Sequence, residues 1–357
     1  MPAPPVMPEV PDWFWIVSAA VMGGTIGSFL NVCIYRMPRR CMSVSHPRHS
    51  HCPRCGHSIR WYENIPVISW VILLRGRCSS CRNPISPMYP FIEALTAAFF
   101  ALAAMIALEP NAVRPGDPGP SWLIGASPIW DFHVFATPGM RLAWFLVAAW
   151  FAAGLIVSTF VDFEFRIIPD QVSISGMWLA PAISFVLPWL HRPILRITPG
   201  PGAVGDVAAF LDSWPHLHGL VASLLGAAVA AGAIWMVGFF GKVAFRKEAM
   251  GFGDVKLMAW IGGLIGWKAS IITFLIASCL GAGVGVPIMA ANRLTNAWRA
   301  ARGKQPIPFD SYLAFGPYLA AAGLAMFLWY STIDDFAFNK YPKMFTGVVE
   351  RLVGEGN

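Results

Sequence analysis

"GFGDVKLMAWIGGLIG", residues 251–266, sets Asp254 and Lys256 at the mouth of an apolar run, directly after two glycines. A carboxylate at the edge of hydrocarbon is costly, so it either caps a helix or does chemistry. The run is one of many. Of 357 residues, 56% are hydrophobic and 13% charged, which is too apolar for an ordinary soluble domain. Uncharged stretches at 13–35, 142–161, 171–190, 269–292 and 311–333 each supply roughly the 20 residues that a spanning helix needs. Two more, 91–108 and 217–241, contain only Glu93 and only His218 as ionisable residues. Adding 255–266, whose far end the Gly266-Trp267 pair marks, the expectation is an all-α polytopic membrane protein of about eight transmembrane helices.

Lys and Arg set the orientation. With the first span running from outside to inside, the segments 36–90, 162–170, 242–249 and 291–308 face the cytoplasm and hold 17 of the 26 basic residues. The net charge of +7 is thus a topological bias rather than a nucleic-acid patch. Residues 1–12 contain no Lys or Arg, unlike a signal peptide, and both termini are expected outside. The stretches 110–140 and 191–216 are rich in Pro and Gly and read as loops. The expected division is a first transmembrane helix in 1–36, a cytoplasmic polar module in 37–89, a transmembrane core in 90–333 and a tail in 334–357.

The polar module carries Cys52-Pro-Arg-Cys55 and Cys78-Ser-Ser-Cys81, two C-x2-C pairs separated by 22 residues. Four thiolates brought together this way match the tetrahedral all-sulfur preference of zinc, and a closed four-cysteine site is structural because it leaves no position for water. Paired disulfides are the alternative, which a reducing cytosol disfavours. His51 and His57 flank the first pair, and Gly56 suits a tight knuckle. Cys33 and Cys279 read as small apolar packers, and Cys41 has no partner motif.

Acidic residues gather at the same membrane level. In "STFVDFEFRIIPD", Asp162 ends the third span and Asp170 precedes the fourth, while Asp254 opens the sixth. Helix capping accounts for Asp170 and Asp254. It does not account for Asp162, which stands at a helix end where a negative charge opposes the dipole. Two carboxylates sharing a low-dielectric site share a proton, so one can activate water while the other polarises a carbonyl. Gly251 and Gly253 would let the backbone of Asp254 approach its partner. Glu164 is a rival to Asp162, better suited to pairing with Arg166 or facing water.

Taken together, these residues resemble the type IV prepilin peptidases, bacterial leader peptidases and N-methyltransferases that carry a G-x-G-D motif. "GSFLNVCIYRMP" (27–38), the segment 52–96 with its four cysteines, "VDFEFRIIPD" (161–170) and "EAMGFGDVKLMAWIGGLIGW" (248–267) carry the likeness, which covers most of the chain. The resemblance implies a cell inner membrane aspartic protease whose catalytic pair is Asp162 and Asp254, with Asp170 and Glu248 as neighbours in the motifs. It also implies zinc on Cys52, Cys55, Cys78 and Cys81. Such a hydrolase cuts the basic leader of prepilins and pseudopilins of type IV pili or type II secretion systems at the cytoplasmic face. Bifunctional members then methylate the new N-terminus with S-adenosylmethionine, although no glycine-rich loop or acidic ribose partner for that cofactor is evident in this sequence. Membrane lipids are the other implied partner, and nucleic acid is not one. In "IPFDSYLAFGPYLAAAG" the family pattern runs directly from I-P-F to G-P-Y, so 310–315 looks like an insertion.

Three other readings stand beside this one: a peptidase without methyltransferase activity, a noncatalytic assembly factor, and an ion-coupled transporter with functional aspartates. The transporter would place its acids near the bilayer midplane, on broken helices.

Overall fold

The computed structural model describes residues 10–39, 44, 50–52, 54–108, 138–191, 213–246, 250–305 and 314–335. These residues contain eight α-helices and no strand: α1 (Asp12–Arg36), α2 (Met88–Leu108), α3 (Pro138–Phe165), α4 (Asp170–Val186), α5 (Pro215–Phe245), α6 (Phe252–Ile265), α7 (Trp267–Ala301) and α8 (Gly316–Asp335). Each overlaps one of the expected spans. Helices α1, α2, α3, α5 and α7 are long and apolar enough to cross a membrane. Large apolar side chains such as Trp235, Phe240 and Val243 on α5 and Leu275 and Val286 on α7 point outward, as lipid-facing residues must.

The helix ends have local causes. Pro215 opens α5 at a position where its missing N–H costs nothing. Extended backbone at Pro169 and Gly251 starts α4 and α6. Gly266, at φ 82°, breaks α6 from α7. Helix α7 overruns its expected apolar stretch by nine residues. Beyond 292 it is built of good helix formers such as Ala, Arg and Leu, so polarity alone does not end it.

The chain forms two compact units, and the boundary falls within α3. The first holds α1, α2, the segment joining them, and α3 through Val157; the second holds α3 from Ser158 and helices α4 to α8. In the first unit α1 lies tightly on α2. Gly23 and Gly27 share a face of α1, and a Cβ on Gly23 would stand 2.8 Å from both Phe100 Cβ and Thr96 O, the small-residue contact that lets membrane helices approach closely. Ala149 of α3 joins Ala19, Phe100 and Ala104 in this core.

In the second unit α6 is the central helix, packed by α4, α5, α7 and α8. Leu257, Met258, Trp260, Ile261 and Leu264 are all buried, the all-round apolarity of a core helix. Its 14 residues rise about 21 Å, less than the roughly 30 Å of hydrocarbon in a bilayer. Protein rather than lipid covers it, so the least regular of the expected spans is the most enclosed. Most of the Pro- and Gly-rich stretches 110–140 and 191–216, residues 310–313 of the insertion, Cys41, Glu248 and the tail beyond 335 lie outside the described residues.

The α1–α2 contact makes a stability prediction. Gly23→Ala should destabilise the protein by about 1–3 kcal/mol through overpacking. Gly232→Ala on α5, where an added Cβ meets nothing within 4 Å, should be neutral or stabilise by up to roughly 1 kcal/mol. Thermal unfolding in detergent compares the two.

Candidate active site

Three helix ends of the second unit meet around two carboxylates. Asp162 lies three residues before the end of α3, where Arg166 adopts a left-handed conformation (φ 56°) and donates its N–H to Asp162 O. Asp254 is the third residue of α6, and its carboxylate accepts the N–H of Gly251, the residue that starts the helix. Both side chains are buried, with Asp162 6% and Asp254 7% exposed. They are close enough for the charge of Asp162 to act on Asp254.

A third helix completes the arrangement. The N–H of Gly316, at the start of α8, donates to Asp162 Oδ2 at 3.0 Å. A Cβ at position 316 would fall 2.7 Å from that oxygen, so the contact requires glycine. The amino-terminal ends of α6 and α8 thus both point N–H groups at the acids, with the favourable end of each helix dipole behind them. Gly253 allows the close approach expected of it, since its Cβ would stand 3.2 Å from Ile168 Cβ on the segment leaving α3. At Gly251 an added Cβ would meet only ordinary contact distances.

The neighbouring acids are different in kind. Asp170 begins α4, is largely exposed, and accepts a 2.7 Å bond from Lys256 Nζ that ties α4 to α6. An exposed pair of this type contributes little energy and serves mainly to set register. Glu164 is exposed as well. Among the described acidic side chains of the second unit, only Asp162 and Asp254 are buried. They sit at helix ends rather than midway along a span, unlike the acids of a transporter site.

The first unit gathers the four cysteines. Their sulfurs all lie within 4.8 Å of one another, and Cys52 Sγ is 3.9 Å from Cys81 Sγ. Four sulfurs at about 2.3 Å from one zinc would be about 3.8 Å apart, so the cluster fits a tetrahedral ion. The two knuckles repeat one backbone pattern. Gly56 donates to Cys52 O and Arg82 to Cys78 O, each at positive φ (70° and 59°), and Cys52 and Cys78 donate to His57 O and Asn83 O. His51 and His57 are not members of the cluster. His57 instead lies 3.5 Å from Glu63 Oε2. Burial disfavours the Glu63 charge, yet the Arg60 N–H, Ser79 and His57 outweigh it and hold the carboxyl below its ordinary value.

Comparison with known proteins follows the same partition. A model of the bacterial peptidase A24 N-terminal domain matches residues 21–107, and a model of the type IV leader peptidase family matches 149–286. The prepilin leader peptidase/N-methyltransferase of Pseudomonas putida is 31% identical over 337 residues, covering 88% of this chain and 91% of that protein. The chain belongs to the type IV leader peptidase family. Proteins of the same name from Stutzerimonas stutzeri and Myxococcus xanthus are 30% identical over 336 residues and 32% identical over 286. They match 88% and 79% of this chain, and 91% and 67% of their own lengths. No solved structure matches significantly. The four cysteines fall within the N-terminal match, and Asp162 and Asp254 within the leader peptidase match.

Sequence reasoning found both buried acids and all four thiols but missed Gly316, which gave no signal beyond its place in the "GPY" pattern. Gly316→Ala should therefore cut leader-peptidase turnover about 100-fold by displacing Asp162, the scale of loss expected for roughly 1 Å of misplacement. Alanine suits a helix better than glycine, so the protein should accumulate normally. A cleavage assay at matched protein level checks this.

Proposed function

We propose that Asp162 and Asp254 are the catalytic pair of an aspartic membrane endopeptidase that removes the basic leader from type IV prepilins and pseudopilins at the cytoplasmic face of the inner membrane. The observation that carries this reading is the joint burial of two carboxylates from separate helices, with the charge of Asp162 acting on Asp254. Two such groups in a low-dielectric site hold one proton between them. The ionised carboxylate takes a proton from water as its oxygen attacks the scissile carbonyl, and the protonated partner donates to the carbonyl oxygen. Collapse of the tetrahedral adduct breaks the C–N bond, and the departing amine takes up a proton. The Gly316 and Gly251 amides hold the two carboxylates in place throughout.

The Lys and Arg bias supports a cytoplasmic position for the acids and the cysteine module, with membrane lipids around the apolar helices. The proposed division is 1–36 first helix, 37–89 zinc module, 90–333 peptidase core and 334–357 tail. Substrates from type IV pili or type II secretion systems would present the start of their apolar helix to the pair, leaving the basic leader in the cytoplasm.

Relatives named as N-methyltransferases support a second step, methylation of the new amino terminus with S-adenosylmethionine. When bound, that cofactor would supply an electrophilic methyl group to the free amine. Zinc on Cys52, Cys55, Cys78 and Cys81 would hold the two knuckles together in a structural role, as the sulfur geometry supports.

Cleavage of a membrane-embedded prepilin by matched amounts of wild type, Asp162→Asn and Asp254→Asn tests the peptidase reading. Wild type should shorten the substrate and neither variant should. Equal cleavage by all three would reduce the acids to structural caps. The zinc reading predicts one metal ion per purified chain by elemental analysis and its loss in Cys78→Ser. A metal-free wild type that keeps its fold would contradict it.

A further inference from the structure

In the second unit, all but one of the buried serine and threonine hydroxyls described here donate to a backbone carbonyl. Ser173, Ser184, Ser270 and Thr273 each bond the carbonyl four residues back, and Ser223 bonds Gly263 O at 2.6 Å. The exception is Ser158, two turns before the end of α3. It is fully buried, and its Oγ has no hydrogen-bond partner among the described residues. Leaving a buried polar group unmet is costly, so the position calls for an explanation in the chemistry around it.

A group with the matching need stands one turn away. Ser158 and Asp162 are four positions apart on α3, so they share a face, with Cβ atoms about 5–6 Å apart. Helical side chains lean toward the amino terminus, which carries the Asp162 carboxylate back over the turn that holds Ser158. Of that carboxylate, Oδ2 accepts the Gly316 N–H at 3.0 Å, and Oδ1 has no donor among the described residues. A buried donor without an acceptor thus stands beside a buried acceptor without a donor. The titratable group facing Asp162 is Asp254 of α6. Tyr318, in the first turn of α8, lies against Gly281 of α7. Glu164 and Arg166 are exposed, and Lys256 is bonded to Asp170.

We propose that Ser158 is a positioning residue for the peptidase: when Asp162 is ionised, the Ser158 hydroxyl turns about its Cα–Cβ bond and donates to Oδ1. The change needs no backbone movement, since a serine side chain exchanges among three staggered wells. Asp162 is then held at both oxygens, by Gly316 at one and Ser158 at the other, and keeps lone pairs with which to accept a proton from water. A donor favours the charged form of the carboxylate it meets. The bond therefore divides the labour of the pair. Asp162 is the carboxylate that takes the proton from water, and Asp254 holds the shared proton and donates it to the scissile carbonyl. The inference rests on the catalytic pair proposed above and adds a third side chain to it.

The experiment is the pH profile of prepilin cleavage by the full-length protein in membranes, for wild type, Ser158→Ala and Asp162→Asn, with unfolding midpoints measured alongside. Ser158→Ala should lower kcat about tenfold with KM unchanged. It should also move the acidic limb of the kcat/KM profile up by about one pH unit, the scale of one charge-assisted hydrogen bond. Its unfolding midpoint should match or exceed that of wild type, because the substitution removes a buried hydroxyl that is unmet at rest. Ser158→Ala with wild-type rate and limb, beside an inactive Asp162→Asn, would overturn the role of Ser158 and leave the pair standing. A slower Ser158→Ala whose limb has not moved would overturn it too, since a packing defect gives that result. Wild-type cleavage by Asp162→Asn would overturn the pair itself, and the Ser158 assignment with it.

Discussion

Burying a carboxylate away from water is among the costliest acts in folding, and here it happens twice in one place. What offsets that cost explains much of the second unit. Asp254 stands in the first turn of α6, where its own helix supplies an N–H. Asp162 stands at the unfavourable end of α3, and its compensation comes from the first N–H of α8 instead. The short, fully enclosed α6 follows from the same need. A helix that brings a charge into the interior must be surrounded by protein, so its length is set by its neighbours and not by the bilayer.

Most of the helices were legible because membrane spans announce themselves by length and uncharged composition. Departures arose where composition and structure diverge. Helix α7 runs past its apolar stretch because alanine and arginine continue a helix as readily as leucine does. Asp254 and Asp162 were visible as charges at the edges of apolar runs, and the cysteine cluster as two spaced pairs. Gly316 was not, since a glycine 154 positions from its hydrogen-bond partner leaves no local pattern. The second knuckle hides a similar point: Arg82 takes the left-handed conformation that Gly56 takes in the first, so only one of two equivalent turns was marked by its residue type. Glu63 carried no signal in the sequence, and Glu93 stood out only as the one charge in its span. Both line one cavity, which exists only once α1, α2 and the module fold together.

The two units also divide the chemistry by solvent. The second unit offers two acids in an apolar surround, which suits proton sharing. The first offers four clustered thiols, which suits holding a metal.

The central claim is that Asp162 and Asp254 act as one unit. The most direct test is a double-mutant cycle on prepilin cleavage rates, in which the cost of Asp162→Asn is measured with Asp254 present and with Asp254→Asn already in place. If the pair shares one proton, the second substitution should add almost nothing to the loss caused by the first. If instead the two losses multiply, the acids act independently and the shared-proton account is wrong.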